Sequence, residues 1–357
     1  MRVGIIGSGM ISGRYIGTIQ KKFSNLEIVA ITSLEWNQCQ ERAREFGLEP
    51  VKTTAELLAR NDIELVIVLV PVGAHYEVCR QALEAGKHIY CEKTLTDNPE
   101  TARELVELAH SRGLKIGAAP DTFLGAGVQT ARRAIDTGSI GTVTSFVIAH
   151  NRANSFFLPH FPFLQQKGAG ILYDYGVYYL TALVSLLGPV DSVFACVESP
   201  ISAYPNPNDP EHPIVNPNES RVNAIIRMRN GAVGTYQANC DSNIWDCPTF
   251  KICGDDGILL MGDCNFFGSP VSRVPFDKGL DDAVLLEMQL PEYAEESRGL
   301  GASDMARSIE EGGEARATGE RACHVLDVLT AMLESGRTHQ WVHVSSDYTK
   351  PEPLHHE

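Results

Sequence analysis

From the start of the chain to about residue 119, short apolar runs alternate with longer stretches of helical apolar spacing. Because parallel strands are joined by crossover segments that are usually helices, this alternation predicts a parallel sheet covered by helices. The predicted strands are residues 2–7, 27–32, 64–70, 87–91 and 115–118. The predicted helices are residues 10–23, 36–46, 74–85 and 99–110, the last with Asn98 as its cap and Pro99 at its first position.

The pattern changes after Asp121. Between residues 190 and 260, apolar runs are separated by Gly, Asn, Asp and Pro without helical stretches, which is typical of antiparallel strands. The other predicted elements are helices at 124–137, 171–187 and 319–335, a strand at 142–150 and a surface loop at 203–218. The fold class is therefore α/β followed by an α+β part with a large, mostly antiparallel open sheet.

The charge balance excludes some classes of partner. The 357 residues include 45 acidic and 30 basic side chains, a net charge of −15, so the surface repels phosphate backbones and anionic membranes. We therefore expect neither nucleic acid nor a membrane as a partner. No apolar run approaches the roughly 18 residues of a membrane span, and the first strand begins at Arg2, which predicts a cytoplasmic protein without a leader.

The cysteines favour a reducing compartment. There are nine, an odd number, and no two form a C-x-x-C pair, so free thiols are expected. Cys240, Cys247 and Cys253 are the closest together, but they lack the short paired spacing of a zinc site. We predict no metal site.

The first predicted strand leads directly into a G-x-G-x-x-S turn that opens a helix, from Gly7 to Ser12. A Cβ at Gly7 or Gly9 would obstruct the tight turn or the approach of a phosphate, and the helix N-terminus offers N–H groups to an anion. In a strand–turn–helix setting this motif indicates dinucleotide binding. We assign Gly7, Gly9, Met10 and Ile11 to the cofactor site.

The end of the second strand normally distinguishes NAD from NADP, because an acidic residue there binds the ribose hydroxyls and a basic neighbour accepts a 2′-phosphate. Ser33 occupies this cofactor-binding position, so the acidic marker is missing. No basic residue follows before Arg42, and Glu35 would either repel a phosphate or reach a ribose. The cofactor is therefore NAD or NADP, with the choice open. An alternative is that Ser33 only caps the next helix.

Two further motifs complete a pattern. Glu92 and Lys93 follow the fifth strand, at the edge where doubly wound sheets bind ligands. Later, Gly168-Ala-Gly-Ile-Leu-Tyr-Asp174-Tyr-Gly-Val-Tyr178 opens a helix. With the glycine turn, these motifs resemble the Gfo/Idh/MocA family of oxidoreductases, named for glucose-fructose oxidoreductase and inositol dehydrogenase. The resemblance covers nearly the whole chain.

The resemblance implies three catalytic residues. Lys93 would lie beside the nicotinamide and polarise the substrate, although Thr94 replaces the family's usual proline. The tyrosine variant of the helix motif, D-x-G-x-Y, assigns the other two roles to Asp174 and Tyr178, which a spacing of four places on one helix face. The residues alone also permit a buried structural carboxylate at Asp174 and a core aromatic at Tyr178.

The resemblance also implies that Pro71, His75 and Glu92 belong to the cofactor site with Lys93. Pro71 and His75 match the family's T-P-N-x-x-H loop, whereas Val70 and Val72 replace its polar members. Taken alone, His75 is more often a histidine at a helix start than a ligand.

Alcohol oxidation requires a hydride to leave carbon while the hydroxyl proton leaves for a base. We expect Tyr178 to exchange this proton. A phenol with a reference pKa of about 10 is a poor base at neutral pH, so a nearby cation has to favour its ionised form, and Lys93 is the candidate. Asp174 would orient Lys93 or bind a neighbouring substrate hydroxyl.

Donor groups on the strand and loop before this helix are candidate substrate ligands: His150, Arg152, Asn154 and His160. Aromatic neighbours at Phe156, Phe157, Phe161 and Phe163 suit a polyhydroxylated ring with one apolar face. The alternative is that the aromatics are core and the polar residues line a surface loop.

These observations predict a Rossmann dinucleotide-binding domain at residues 1–120 and an α+β substrate-binding and oligomerisation domain at 121–357. The expected function is NAD(P)-dependent oxidation or reduction at a ring hydroxyl or ketone of a sugar, glycoside or cyclitol. A non-catalytic dinucleotide and sugar sensor, or an enzyme that cleaves glycosides through a transient oxidation, are the alternatives. The resemblance implies a homo-oligomer, a dimer or a tetramer.

Overall fold

A computed structural model describes residues 1–166, 168–242 and 248–355. The chain forms two compact units. Unit 1 comprises Met1–Leu124 and Glu295–Leu326, and unit 2 comprises Gly125–Ala294 and Asp327–Glu357. The sequence-based division at residue 120 leaves all later residues in one domain, whereas the structure groups residues 295–326 with unit 1. Within the described ranges, no helix is both long and apolar enough to cross a bilayer.

The elements are numbered in chain order. The strands are β1 Arg2–Ile6, β2 Glu27–Thr32, β3 Glu49–Pro50, β4 Leu65–Val68, β5 His88–Cys91, β6 Ile116–Ala118, β7 Val143–Asn151, β8 Val190–Glu198, β9 Ala203–Tyr204, β10 Ile214–Val215, β11 Arg221–Met228, β12 Val233–Asn239, β13 Thr249–Gly254, β14 Gly257–Met261, β15 Val271–Pro275, β16 Val284–Leu285 and β17 Val342–His343. The α-helices are α1 Met10–Lys22, α2 Trp36–Phe46, α3 Thr54–Leu58, α4 His75–Glu84, α5 Pro99–Ser111, α6 Ala126–Asp136, α7 Asn154–His160, α8 Val177–Leu187, α9 Leu300–Glu311 and α10 Gly319–Thr338.

Unit 1 contains a six-stranded sheet of order β3-β2-β1-β4-β5-β6 in which every neighbouring pair is parallel. This confirms the doubly wound α/β prediction. The central strand β4 is buried along its whole length, which is why it reads as a continuous apolar run. The predicted start of α5 is also confirmed, since the Asn98 side chain accepts hydrogen bonds from the backbone N–H groups of Glu100 and Thr101, with Pro99 at the first helical position.

Unit 2 contains a nine-stranded sheet of order β16-β15-β14-β13-β7-β12-β11-β8-β17. Its neighbouring pairs are antiparallel except β7 with β12, which confirms the mostly antiparallel sheet. Exposure alternates residue by residue along β11, as expected for a strand with one face on a core. The predicted loop at 203–218 instead contains a two-stranded ribbon of β9 and β10.

Candidate active site

The glycine turn of unit 1 has the geometry that a phosphate site needs. Gly7 has a φ of +115°, and a Cβ there would lie 2.5 Å from the carbonyl oxygen of Leu69, so only glycine fits. A Cβ at Gly9, by contrast, would meet no protein atom within 4 Å. Met10, at the first position of α1, is 79% exposed. The N-terminus of α1 is therefore accessible to an anion such as a pyrophosphate, whose charge its N–H groups stabilise.

The end of β2 leaves the choice of dinucleotide open. Glu35, not Ser33, occupies the cap position of α2, and no side chain caps that helix. The alternative in which Ser33 merely caps the helix is therefore not supported. Leu34 is almost fully exposed between them. The cofactor role of Ser33 stays a prediction.

Lys93 begins a loop whose backbone is held by its neighbour. The Glu92 backbone N–H donates to the carbonyl oxygen of Val68, 2.9 Å away, which continues the pairing of β4 and β5. The Glu92 carboxylate accepts the Lys93 backbone N–H at 2.9 Å through Oε2 and the Tyr15 hydroxyl at 2.8 Å through Oε1. Both oxygens of Glu92 thus bind groups of the protein, and its expected cofactor contact stays a prediction.

His75 lies behind the same loop. Its Nδ1 is 2.7 Å from the carbonyl oxygen of Thr94, and its Nε2 is 2.9 Å from that of Val70. Burial lowers the pKa of this histidine, and a neutral imidazole donates from only one of its two nitrogens. Because both ring nitrogens face backbone carbonyls, the geometry supports a structural role for His75 on the Lys93 loop more than direct contact with a cofactor. Pro71 immediately precedes the helical turn Val72–Ala74.

Asp174 and Tyr178 lie in unit 2 at a change of helix type. Asp174 belongs to the π-helical turn Leu172–Gly176, and Tyr178 is the second residue of α8. The regular helix predicted over 171–187 is thus wider at its start, a distortion that is frequent at functional sites. The Asp174 carboxylate accepts a hydrogen bond from Arg152 on the segment after β7.

Arg152 is buried, so its charge needs a partner inside the protein. Besides Asp174, its guanidinium lies 5.6 Å from the ring centre of Phe157. The sequence suggested Arg152 as a substrate ligand. Its ion pair with Asp174 supports a role in positioning that carboxylate more than direct contact with a substrate. No sequence motif links the two residues, because they are 22 positions apart.

Asp263 is a residue that sequence reasoning missed. Its carboxylate accepts the hydroxyl of Tyr175 at 2.6 Å and that of Tyr179 at 2.7 Å. Burial, then the charge of Asp263, raises the pKa of both phenols, so both remain donors. These two tyrosines flank Tyr178 in sequence, and their shared carboxylate fixes the start of α8. The only hint in the sequence was the run of tyrosines itself.

His150 lies in the core of unit 2. It is 2% exposed, its Nε2 is 2.8 Å from the Tyr236 hydroxyl, and its ring stacks on Tyr179 with centroids 4.6 Å apart. Burial, with a smaller contribution from the charge of Arg152, lowers the pKa of His150 to about 3. The expected role as a substrate ligand is not supported by this placement.

The remaining candidates divide between core and surface. Asn154 is buried at the first position of α7, whereas His160, at the last, is exposed with its Nδ1 2.7 Å from the Phe156 carbonyl oxygen. Phe157 and Phe161 pack against a small core of Leu158, Leu164, Tyr204 and Ile214. Phe156 and Phe163 are about half exposed. The surface that suits a sugar ring is therefore limited to part of the predicted aromatic set.

The cysteines in the described ranges are free thiols. Among the same residues, no group of three or more His, Cys, Asp and Glu side chains is arranged to hold a metal ion. Of the three cysteines closest in sequence, Cys240 is buried and Cys253 is half-buried, while Cys247 lies outside the described residues.

Comparison with known proteins gives matches to two family models. Residues 1–119 match the model described as "Oxidoreductase family, NAD-binding Rossmann fold", and residues 128–260 match the "GFO/IDH/MocA C-terminal domain". The Rossmann domain and the NAD(P) cofactor class expected from the sequence are thereby confirmed.

Individual relatives are more distant. An uncharacterized oxidoreductase of Schizosaccharomyces pombe is 32% identical over 202 residues, which are 56% of this chain and 55% of the relative. A dTDP-3,4-didehydro-2,6-dideoxy-alpha-D-glucose 3-reductase of Actinomadura kijaniata is 33% identical over 196 residues, 53% of this chain and 56% of the relative. The chain thus spans about half the length of the curated relatives it matches.

Solved structures extend the likeness in fold. Levoglucosan dehydrogenase in complex with NADH and levoglucosan aligns with a TM-score of 0.83 at 22% identity, covering 97% of this chain and 99% of that one. At this identity the likeness concerns the fold.

Proposed function

Because the chain belongs to the Gfo/Idh/MocA family of oxidoreductases, we propose that it transfers a hydride between NAD or NADP and a ring hydroxyl or ketone of a sugar, glycoside or cyclitol. Two of the similar proteins support this substrate class. One is named for the reduction of a dTDP-linked deoxy sugar, and the other holds levoglucosan together with NADH.

The observation that carries the proposal is the position of Lys93 in unit 1. The glycine turn follows β1 and Lys93 follows β5, and both strands belong to one parallel sheet. Their carboxyl ends therefore meet at the same edge, which is where doubly wound sheets bind their ligands. The glycine turn would thus hold the pyrophosphate of a dinucleotide, and Lys93 would lie on the side of its nicotinamide.

The residues of unit 1 fit such a cofactor. Gly7 and Gly9 with the first residues of α1, Met10 and Ile11, would hold the pyrophosphate, and Ser33 would contact the adenosine ribose. When bound, the dinucleotide supplies the hydride acceptor or donor.

The protein's own groups handle the proton. In this proposal Tyr178 exchanges the hydroxyl proton of the substrate, and the ammonium of Lys93 favours the ionised phenol. Asp174, held by Arg152, orients Lys93 or binds a neighbouring substrate hydroxyl. Lys93 belongs to unit 1, and Asp174 and Tyr178 belong to unit 2.

The test is a screen of sugars, cyclitols and glycosides with NAD and NADP, read by the absorbance of reduced nicotinamide. Removal of the proton-exchanging group in Tyr178→Phe should lower kcat by about 100-fold or more and leave the dinucleotide Kd nearly unchanged. Tyr173→Phe is the matched control, because it removes the same atom from a nearby tyrosine to which the proposed mechanism assigns no role. The Tyr173 hydroxyl lies 3.4 Å from that of Thr330 on α10. An active Tyr178→Phe enzyme would contradict the proposed mechanism.

Two other results would overturn the proposed reaction. Tight dinucleotide binding without turnover of any alcohol or ketone would favour a sensor. Release of an aglycone without net reduced cofactor would favour a glycoside-cleaving enzyme.

We also propose that unit 2 mediates self-association through the outer face of its sheet. Exposed apolar side chains lie there, among them Ile225 at 41% and Trp341 at 48% exposure. Trp341 also contacts Phe194 and lies 5.6 Å from the guanidinium of Arg227. Light scattering after gel filtration should give a dimer or tetramer that Ile225→Glu dissociates, and a monomeric parent protein would refute this proposal.

A further inference from the structure

Tyr15 is a fully buried tyrosine on the helix that starts at the glycine turn. It lies three residues after Ser12, on the face of α1 that packs on the sheet. Its hydroxyl donates to Glu92 Oε1 at 2.8 Å, although the two residues are 77 positions apart. Burial, followed by the charge of Glu92, raises the pKa of this phenol well above its ordinary value, so the hydroxyl remains a donor.

The Glu92 carboxylate connects Tyr15 to the backbone of the Lys93 loop. Its Oε2 accepts the Lys93 backbone N–H at 2.9 Å, and the Glu92 backbone N–H donates to the carbonyl oxygen of Val68. On the far side of Lys93, the Thr94 carbonyl oxygen is 2.7 Å from His75. The backbone that carries the Lys93 side chain is thus held before and after that residue.

Tyr15 connects two parts of the proposed cofactor site. One is α1, whose N-terminus would bind the pyrophosphate, and the other is the loop that presents Lys93 to the nicotinamide. A hydride donor and its acceptor must be aligned closely, so a small displacement of either end reduces turnover. A residue that fixes the separation of the two ends therefore affects kcat more than binding.

We propose that Tyr15 is a positioning residue for the dehydrogenase reaction, which acts through the Glu92 carboxylate to fix the backbone of Lys93 relative to the helix of the glycine turn. The kinetic part of this inference rests on the proposed function. The structural part, the coupling of Tyr15 to the Lys93 amide, does not.

Tyr15→Phe removes one oxygen atom and keeps the aromatic ring. We expect kcat to fall by about tenfold, the effect of roughly 1.4 kcal/mol on the barrier, with the dinucleotide Kd unchanged within about twofold. Tyr90→Phe is the matched control. Tyr90 is also a fully buried tyrosine of unit 1, but its hydroxyl has no hydrogen-bond partner in the part of the chain that the structure describes. Its loss should leave kcat unchanged.

A double-mutant cycle separates positioning from packing. If Tyr15 acts through Glu92, then Tyr15→Phe should lower kcat no further in a Glu92→Ala background. An additional tenfold fall in that background would show that Tyr15 acts by another route and would overturn the inference.

Hydrogen exchange gives a readout that does not need activity. The Lys93 amide should exchange faster in Tyr15→Phe, where its carboxylate acceptor is no longer held by Tyr15, and in Glu92→Ala, where that acceptor is missing. Tyr90→Phe should leave its exchange unchanged. Unchanged exchange in both variants would overturn the coupling. If the parent protein oxidises no alcohol and yet its Lys93 amide responds, the proposed function fails and the coupling stands. If the parent is active and neither kcat nor exchange responds to Tyr15→Phe, the inference fails alone.

Discussion

Acid should destabilise this protein through His150, and the size of the effect follows from its surroundings. The imidazole is enclosed by Tyr175, Tyr179 and Tyr236, and its burial together with the positive charge of Arg152 disfavours the protonated ring. We therefore compare the parent protein with His150→Gln, whose amide cannot titrate but can form a hydrogen bond with a hydroxyl such as that of Tyr236.

The magnitude comes from linkage. The pKa of His150 is about 3 in the folded protein and near 6.5 in the unfolded chain. Well above pH 6.5 the imidazole is therefore neutral in both states and does not change the free energy of unfolding. Between these values only the unfolded chain binds the proton, so the free energy of unfolding falls as the pH falls, by about 1.4 kcal/mol per pH unit well below pH 6.5. At pH 5 the loss amounts to ~2 kcal/mol relative to pH 7.

The assay is urea unfolding of both proteins at pH 7 and pH 5. The fall in unfolding free energy between the two pH values should be about 2 kcal/mol larger for the parent than for His150→Gln. His75, whose pKa burial also lowers, contributes equally to both proteins and cancels in the difference. Equal falls in the two proteins, together with a raised KM in the variant, would refute the core placement and restore the substrate role.

Two further predictions follow from close contacts. Gly7→Ala should lower the free energy of unfolding by about 3 kcal/mol and weaken dinucleotide binding, because the added Cβ would overlap the Leu69 carbonyl. Gly47 also has a positive φ, but no atom lies within 4 Å of its added Cβ. Gly47→Ala should therefore lower the free energy of unfolding by only about 1 kcal/mol. Urea titration measures the free energy of unfolding, and fluorescence titration measures dinucleotide binding. Equal losses of unfolding free energy in the two variants would disprove the steric argument. Arg152→Met should cost about 3 kcal/mol because it breaks the buried ion pair with Asp174. Asp174→Asn in the same chain should recover part of this loss, and no recovery in the double variant would contradict the pairing.

The sequence was most informative where structure depends on neighbours along the chain. The parallel sheet followed from the alternation of apolar runs and helices, and the start of α5 followed from Asn98 and Pro99, which act within one turn. Gly7 was identified for the same reason, since the tight turn after a strand restricts the residue at that position.

The sequence was least informative where the partner lies far along the chain. Nothing local distinguishes His150 in a core from a histidine on a binding surface, because its neighbour Tyr236 is 86 residues away. The contacts of Asp263 with the tyrosines beside Tyr178 span 84 and 88 residues. The π-helical turn at Asp174 was missed because apolar spacing over so short a stretch does not distinguish it from an α-helix.

These distant partners change how the proposed catalytic residues should be understood. In the proposed mechanism motif residues supply the reactive groups, and residues elsewhere in the chain hold them in place. Tyr15 acts on the backbone of Lys93 through the motif residue Glu92, and Arg152 binds the carboxylate of Asp174. Catalysis needs groups fixed to within fractions of an ångström, which a flexible loop or an unpaired side chain does not provide. A protein that retained the motif and lost these partners would therefore bind its dinucleotide but transfer hydride slowly.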